Sequence, residues 1–282
     1  MNKPLILVTN DDGITSNGIR VLVEVMSRLG EVIVVAPDSP QSGMGHAITV
    51  GNTLRLSETK TFNGIKSYQC SGTPVDCVKL AKHYVLKDRK PDLLVSGINH
   101  GPNTSISVVY SGTMAAALEA AIDDIPAIGF SVCDYSQSAK FEHVSEYLEE
   151  ISRYVLESGL TRGVALNVNV PAAKQGLIKG IRICRQARAR WKEAFDERLD
   201  PYGERYFWMA GDFINLDEQV DNDIWAIANN YVSVVPTQFD MTAHHIIDTL
   251  KGDFEVSQQT EIEESHSGNI QPEVGLKDDE DI

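Results

Sequence analysis

Residues 5–13 read LILVTNDDG, and this stretch decides the fold. Its first five residues are an unbroken apolar run of strand length, which is typical of a strand covered by helices on both faces. A helix signal follows, because Asn17 and Gly18 open a segment with apolar residues at helical spacing and Gly30 ends it. A second apolar run occupies residues 31–37. This order predicts two parallel strands joined by a crossover helix.

The same alternation of strand and helix signals continues to about residue 180. Thr73, Pro74 and Asp76 predict a helix start, with a capping hydroxyl, a proline at the first helical position and an acid at the third. Further strands are predicted at 91–96, 126–132 and 165–170, and further helices at 113–121 and 138–158. We therefore predict an α/β protein with a doubly wound, mostly parallel, Rossmann-like sheet.

The character of the sequence changes after residue 180. Strands are predicted at 181–185, 206–208 and 231–236, a turn at 200–203 and a short helix at 241–250. We interpret residues 1–250 as one α/β domain, in which 1–180 is the Rossmann-like core and 181–250 is a strand-rich C-terminal appendage of hairpin, strand and helix. Residues 251–282 contain ten acids and two lysines, which predicts an acidic, flexible tail.

Charge and composition argue against several classes of function. The 282 residues include 25 Lys and Arg against 40 Asp and Glu, and this net charge of -15 disfavours nucleic acid as a partner, because phosphate backbones are bound by an excess of basic residues. No apolar run approaches the roughly 18 residues of a membrane-spanning helix, so no membrane attachment is expected. Four well-separated cysteines without a secretion signal are typical of free thiols, so a cytoplasmic location is expected.

Polar side chains follow the predicted strands at the points where these strands end. Asp11 and Asp12 come directly after the first strand, and two adjacent carboxylates need a cation or strong hydrogen-bond donors nearby. A hard divalent ion such as Mg²⁺ satisfies both. The alternative is a simple turn with two solvated acids before Gly13. Asn99, which follows the strand at 91–96, offers an amide oxygen as a further ligand for the same ion.

A helix start predicts an anion site near these acids. Ser111, Gly112 and Thr113 lead into an alanine-rich helix, and hydroxyls with exposed backbone N–H groups at a helix start suit phosphate; simple capping is the alternative. Asn103 can donate to an anion, and the loop at 37–46 adds hydroxyls and glycines without matching a Walker A or Rossmann pattern. Together these segments predict metal-assisted hydrolysis of a phosphate ester.

Four long segments resemble the motifs of the SurE survival-protein family, in that family's order and spacing. They are VTNDDGITSNGI at 8–19, VVAPDSPQSGMGHAIT at 34–49, SGTPVDCVKL at 71–80 and PDLLVSGINHGPNTSISVVYSGTMAAALEA at 91–120, and VPTQFDMTAHH at 235–245 resembles its C-terminal signature. The resemblance implies a metal-dependent phosphomonoesterase that hydrolyses nucleoside 5'- and 3'-monophosphates to nucleoside and phosphate. It implies short polyphosphate as a further substrate in some members.

The resemblance also implies the site residues and the assembly. One divalent ion per subunit, Mg²⁺ or Mn²⁺, would be held by the positions that match the family's metal ligands, which are Asp11, Asp12, Ser42 and Asn99. The phosphate pocket would comprise Asn10, Gly43, Asn103, Ser111, Gly112 and Thr113. Family members form homodimers or homotetramers that exchange C-terminal segments, and Asp240 and His244 match positions in that packing. The chain has DSPQSG at 38–43 where many members have the more basic DRNRSG.

We assign catalytic roles to Asp11, Asp12 and Asn103. In the inferred mechanism Asn103 and the helix start at 111–113 hold phosphate oxygens, while a water attacks phosphorus in line. Either Asp11 or Asp12 orients that water, and the sequence does not choose between them. No Cys or His is placed as an obvious phospho-nucleophile, so hydrolysis is expected to be direct.

Two other classes of protein also place acids after the first strand. A phospho-acceptor receiver module would bind Mg²⁺ for signalling without turnover, but Ser96 and Gly97 stand where its acceptor aspartate should end a strand. A phosphatase of the haloacid-dehalogenase type needs a DxDx[TV] motif, whereas this chain has Asp11-Asp12-Gly13.

Overall fold

A nine-stranded sheet lies at the centre of the part of the chain that the structure describes, residues 3–136 and 139–254 of a computed structural model. The strands are β1 (Leu5–Thr9), β2 (Glu31–Pro37), β3 (Leu56–Thr59), β4 (Lys66–Cys70), β5 (Leu93–His100), β6 (Ala127–Val132), β7 (Val164–Val170), β8 (Ile181–Ile183), β9 (Ala189–Leu199), β10 (Arg205–Asn215) and β11 (Val232–Gln238). The α-helices are α1 (Asn17–Leu29), α2 (Pro74–Leu80), α3 (Gly112–Ile122), α4 (Ser145–Ser158), α5 (Asp223–Ala228) and α6 (Ile247–Phe254).

The middle of the sheet is parallel and its margins are mixed. Across the sheet the order is β3-β4-β2-β1-β5-β6-β7-β11-β8. The strands from β4 to β7 in that order run parallel, whereas β3 is antiparallel to β4 and β11 is antiparallel to β7. β1 lies between β2 and β5, where Val8 pairs with Val34 and Val95. The predicted doubly wound, mostly parallel sheet is therefore confirmed.

An apolar layer covers each face of the sheet. One layer contains α1 and α4, represented by Ile19 and Leu148, and receives Ile6 of β1. The other contains α2 and α3, represented by Val78, and receives Leu7 of β1. Because successive residues of a strand point to opposite faces, a strand buried on both sides needs apolar residues at every position. This is why the run in β1 is unbroken.

The predicted bounds hold in the core and shift where the backbone is irregular. β1 and β2 have their predicted bounds, and the helix start at α2 is confirmed as a capping box, with Asp76 N donating to Thr73 Oγ1 at 3.1 Å. β5 runs past its predicted end, because an irregularity between Ser96 and Asn99 lets it stay paired with β6. Helix α4 begins at Ser145, after a short 3-10 turn, and not at the predicted residue 138, which lies outside the described residues.

The sequence analysis does not predict β3, β4 or α5. β3 and β4 are short strands with several polar side chains, at one margin of the sheet. Helix α5 has six residues and is fixed locally by Asn222, whose side chain accepts from Trp225 N at 2.8 Å. A helix this short spans fewer than two turns, so it cannot display an apolar period.

The C-terminal elements include a separate hairpin and a second compact unit. β9 and β10 pair antiparallel on either side of the predicted turn at 200–203. Residues 241–254 belong to the second unit and contain a 3-10 turn, His244–Ile246, followed by α6. The proposed division of the chain at residue 250 stays a prediction, and the acidic tail lies outside the described residues from 255 onward. Within the described ranges, no helix has the length and apolarity needed to cross a membrane.

Gly18 tests the close packing of α1 against β5. A Cβ at this position would lie 2.2 Å from the carbonyl oxygen of Ile98, a backbone atom that cannot rotate away. We therefore expect Gly18→Ala to lower the free energy of unfolding by about 1–3 kcal/mol or more, as overpacking usually does. The matched control is Gly51→Ala, because nothing lies within 4 Å of that Cβ position. Urea unfolding curves measure both, and equal stabilities of the two variants would contradict the packing.

Candidate metal and phosphate site

The two adjacent acids lie in a tight turn at the C-terminal end of β1. Gly13 has a φ of +91°, a left-handed conformation that favours glycine and closes the turn. The buried side chain of Asn10 holds the turn from inside, since its Nδ2 donates to Gly13 O at 3.0 Å and to Ser16 Oγ at 2.9 Å. Asp11 and Asp12 are therefore presented together at the edge of the sheet where parallel α/β proteins bind ligands.

Burial sets the electrostatics of this pair. Burial raises the pKa of Asp11 to about 6, a hydrogen bond from Thr113 Oγ1 at 2.5 Å opposes the rise, and the charge of Asp12 adds to it. Burial also raises the pKa of Asp12, and His100 opposes the rise, first through its charge and then through its backbone N–H, which donates to Asp12 Oδ2 at 3.4 Å. Among the described residues, no Lys, Arg or His side chain forms an ion pair with either carboxylate.

The loop after β2 is tied to the same turn. Ile14 N donates to Pro37 O at 2.8 Å, and Gln41 N donates to Asp11 O at 2.7 Å. Ser42 is the next residue and is exposed, so the predicted hydroxyl ligand follows a residue bonded directly to the acidic turn. Gly43 has a φ of +76° and open space around its Cβ position.

Asn99 lies next to His100 on β5, and His100 contacts the acidic turn. The backbone N–H of His100 bonds Asp12, which brings the end of β5 against the turn. Asn99 Nδ2 donates to the carbonyl oxygens of Gly101 at 2.9 Å and His100 at 3.3 Å. Its amide nitrogen is thus engaged with the backbone, which leaves the oxygen as the ligating atom that this side chain can offer.

The start of α3 packs directly on Asp11. A Cβ on Gly112 would lie 2.8 Å from Asp11 Cβ and 3.2 Å from its Oδ2, so only glycine allows this approach. Ser111 caps the helix, with its Oγ accepting from Met114 N at 3.1 Å. Ser111 N donates to Val108 O at 3.3 Å, and the Thr113 N–H bonds the Asp11 carboxylate. In the described part of the chain this leaves the Gly112 N–H, at the start of an 11-residue helix, as the backbone donor available to an anion beside the carboxylates.

Asn103 is held by polar residues at the ends of β6 and β7 that the sequence analysis missed. Asn103 N donates to Asn169 Oδ1 at 2.7 Å, and its Nδ2 donates to Ser131 Oγ at 2.9 Å. Asn167 Nδ2 donates to Asn103 O at 2.8 Å, and Asn169 Nδ2 donates to Asn167 Oδ1 at 3.0 Å. A signal existed, because two asparagines alternate with valines in an otherwise apolar strand, VALNVNV at 164–170.

A second anchor fixes the segment between Asn103 and α3. Ser105 N donates to the buried carboxylate of Asp223 at 2.8 Å, and Ser105 Oγ donates to Ala187 O at 2.7 Å. Ala187 N also donates to Asp223, at 3.0 Å. Asp223 starts α5, an element absent from the predictions, so this anchor was missed with it. The segment that leads into the helix start is thereby held at both ends.

The structure thus brings most of the predicted residues together. Asp11 contacts Gly112 and Thr113 directly, whereas Ser42 follows and Asn99 precedes a residue bonded to the acidic turn.

Two predicted phosphate-binding side chains make hydrogen bonds within the protein that the sequence analysis does not predict. The amide nitrogen of Asn10 bonds within the turn and its buried oxygen has no partner in the described part of the chain, and Asn103 has one N–H directed to Ser131. Asp240 ends the first unit, and His244 lies in the second.

The fold and this site define a doubly wound α/β protein with two adjacent acids, one buried and one half-buried, beside the start of a helix. The family described as "Survival protein SurE" matches residues 6–193. The chain is 65% identical over 254 residues to the 5'-nucleotidase SurE of Cytophaga hutchinsonii, covering 90% of this chain and 98% of that relative. It is 46% identical over 250 residues to the 5'-nucleotidase SurE of Bacteroides fragilis, covering 88% and 97%.

A solved structure agrees with these relatives. The crystal structure of the SurE protein from Aquifex aeolicus matches with a TM-score of 0.74 and 37% identity, covering 88% of this chain and 99% of that one. The chain therefore belongs to the SurE family. Neither the receiver module nor the haloacid-dehalogenase alternative gains support from these comparisons.

Beside the site, Glu119 of α3 joins the loop after β2 to α2. His46 Nε2 lies 3.2 Å from Glu119 Oε2, and Lys79 Nζ donates to Glu119 Oε1 at 2.6 Å. Burial alone would raise the pKa of Glu119, but the hydrogen bonds from His46 and Lys79 and the charges of Lys79 and Lys82 outweigh it and lower the pKa to about 2. The ionised form is therefore stabilised in the folded protein.

This lowered pKa predicts a pH-dependent contribution to stability. A carboxyl group whose pKa falls from 4.5 to about 2 on folding contributes on the order of 3 kcal/mol above pH 4.5, and loses it as the pH falls toward 2. We expect Glu119→Gln to be less stable than the wild type at pH 7 and the difference to shrink below pH 4.5. Urea unfolding at pH 7, 4.5 and 3.5 measures this. The exposed Glu58→Gln is the control, and a pH-independent difference for Glu119→Gln would refute the linkage.

Proposed function

We propose that this protein is a metal-dependent phosphomonoesterase, a 5'-nucleotidase that also accepts nucleoside 3'-monophosphates and short polyphosphate. One observation carries the proposal: two adjacent acids, of which Asp11 is buried, form no salt bridge with a lysine or arginine among the described residues, and Asp11 touches the start of α3. Such a pair favours a bound cation, and the helix start beside it suits phosphate. The names of the relatives support the nucleotide as substrate.

The residues present fit one hard divalent ion, Mg²⁺ or Mn²⁺, per subunit. We propose that the ligands are the carboxylates of Asp11 and Asp12, the Ser42 hydroxyl and the Asn99 amide oxygen. All four are oxygen donors, as such ions prefer. No group of three or more His, Cys, Asp or Glu suited to a metal occurs in the described ranges, so a thiolate or imidazole site is not offered there. When bound, the ion supplies Lewis-acid chemistry, because it neutralises charge on phosphoryl oxygens and lowers the pKa of water.

The phosphate is proposed to lie against the start of α3. Gly112 would bind its oxygens through the backbone N–H and Ser111 through the hydroxyl, with the Gly43 backbone also in contact. Thr113, whose hydroxyl and N–H bond Asp11, would line the pocket and hold that carboxylate in place. Asn103 has a second amide N–H beyond the one donated to Ser131, and it would donate that hydrogen to the phosphate. The unpartnered Asn10 oxygen would accept from a protonated phosphate oxygen or a water. The helix dipole and these donors favour the added negative charge.

The chemistry is proposed to be direct hydrolysis. A water attacks phosphorus in line, the bond from phosphorus to the nucleoside oxygen breaks, and that oxygen takes a proton, which gives nucleoside and phosphate. Asp11 or Asp12 orients the water and accepts its proton. Asp11 uses one carboxylate oxygen for Thr113, and Asp12 uses one for the His100 N–H, so each retains an oxygen for this role. Asn103 holds the phosphate still during the displacement.

Replacing the acids tests the metal site. We expect Asp11→Asn and Asp12→Asn each to lower metal-dependent phosphate release from AMP by at least ~100-fold, because charge stabilisation at the transferred phosphoryl group is lost. Both should also weaken the binding of Mn²⁺ in isothermal titration. Asp88→Asn, at an exposed acid without a described ion pair, is the matched control. EDTA should abolish wild-type turnover, and unchanged turnover and Mn²⁺ binding in both Asn variants would refute the assignment.

We further propose that the protein is a cytoplasmic homodimer or homotetramer that exchanges C-terminal segments. The hairpin of β9 and β10 supports this, because it displays a set of large apolar side chains that a monomer would leave in water. These are at least one-third exposed and comprise Trp191, Phe195, Tyr206, Phe207, Trp208 and Met209. Four unpaired cysteines, three of them buried, fit a reducing compartment.

A charge in the hairpin tests this assembly. We expect Trp208→Asp to lower the sedimentation coefficient, because a carboxylate in an apolar interface would have to be buried without a partner. Asp212→Asn changes a charge in the same hairpin without adding one to the apolar set, and should keep the wild-type value. An unchanged sedimentation coefficient in Trp208→Asp, with a wild-type circular dichroism spectrum, would exclude Trp208 from the interface.

A further inference from the structure

Three exposed apolar side chains stand beside the proposed phosphate pocket. Met44, Val109 and Tyr110 are 47%, 51% and 53% exposed, respectively. We call these three residues the apolar lip. Tyr110 directly precedes Ser111, so its Cα lies about 3.8 Å from the Cα of the residue that caps α3. The apolar lip therefore lies immediately before the helix start that is proposed to bind phosphate.

The lip is built by close packing of two backbone segments. Gly45 N donates to Tyr110 O at 3.1 Å, and a Cβ on Gly45 would lie 3.0 Å from Val109 O. Gly45 also has a φ of +54°, which favours glycine. The backbones meet here, and the side chains of Met44, Val109 and Tyr110 are exposed around this contact. The segment bearing Tyr110 is anchored through Ser105 to Asp223, so the ring is carried on a fixed support.

The position of the lip matches the chemistry of a nucleotide. A nucleoside monophosphate joins a phosphate to a flat, partly apolar base through one ribose. With its phosphate at residues 111–113, the base of such a substrate would reach the ring of Tyr110. Aromatic side chains bind bases by stacking, with little selection among bases because every base has a π-face. The exposed methionine and valine can cover the edge of a stacked base.

We propose that Tyr110, supported by Met44 and Val109, is the nucleobase-binding surface of this site. The inference rests on the proposed function and extends it, since it names the part of the protein that separates nucleotides from base-free phosphate esters. It assigns the selectivity for nucleosides to one stacking side chain with little discrimination among the four bases. The ring of Tyr135 is also exposed and packs against Gly101, whose carbonyl oxygen accepts from Asn99. We do not assign Tyr135 this role.

The test compares substrates that differ only in the base. kcat/KM is measured for AMP, CMP, GMP and UMP, and for ribose 5-phosphate, which keeps the ribose and phosphate. We expect Tyr110→Ala to lower kcat/KM for all four nucleotides by about 5- to 150-fold, mainly through KM, and to leave ribose 5-phosphate within about twofold. Tyr110→Phe should retain nucleotide activity. Tyr84→Ala removes an exposed tyrosine on the π-helical turn Ala81–Val85 and is the matched control.

Two results would overturn the inference. Equal losses on AMP and ribose 5-phosphate would show that Tyr110 serves the phosphate site or the fold, and a base-selective loss in Tyr135→Ala but not in Tyr110→Ala would place the base elsewhere. Calorimetric titration with AMP and ribose 5-phosphate separates this question from turnover. If the wild type hydrolyses neither compound but binds AMP more tightly, through Tyr110, the proposed function fails and the inference stands. If the wild type hydrolyses both AMP and ribose 5-phosphate and binds them equally, the proposed function stands and the inference fails.

Discussion

Two neighbouring carboxylates in a largely buried turn require positive charge, and no lysine or arginine among the described residues forms a salt bridge with them, although the charge of His100 favours the ionised form of Asp12. Asp11 and Asp12 receive a hydroxyl and a backbone N–H, which are neutral donors, and burial holds the pKa of both above the ordinary value. Salt-bridging either acid to a lysine or arginine would have been the simpler way to stabilise the fold. The site instead keeps a deficit of positive charge that an added cation can fill, and in the proposed metal site the oxygens of Ser42 and Asn99 would complete a hard-metal donor set.

The sheet topology makes this arrangement possible, and a few close contacts make it rigid. β1 is central, so the ends of β2 and β5 deliver their loops to the turn that follows β1. Gly112 lets α3 touch Asp11, and Gly18 lets α1 touch the backbone of Ile98 beside Asn99. The segment between β5 and α3 is then fixed by Asn169 and Asp223 from elements much later in the chain. Preorganised donors of this kind do not need to reorganise when charge develops during the reaction.

The sequence predicts those parts of the molecule whose signals are local. The buried run of β1, the apolar period of α1 and the capping box at Thr73 are each encoded within a few residues, and they were found with accurate bounds. The predictions for the carboxylate pair and the helix start rest on the convergence of strand ends in a parallel sheet. β3, β4 and α5 escaped because they are short and gain their stability from pairing or from one cap. The contacts of Asn167 and Asp223 with the site depend on residues 64 and 118 positions away, which no local pattern encodes.

An anionic substrate must approach a chain with a net charge of -15, and this constrains how affinity arises. The loop after β2 has the uncharged residues Ser39, Pro40 and Gln41, and among the described residues no lysine or arginine forms an ion pair at the acidic turn. In the proposed site, attraction for phosphate would therefore come from the Gly112 N–H, the dipole of α3 and the cation. Without the cation, the two carboxylates would repel a phosphate placed beside them. If the acid pair binds a cation as proposed, metal binding and substrate binding are coupled by simple electrostatics, because neutralising the charge of the pair makes the pocket favourable for an anionic phosphate ester.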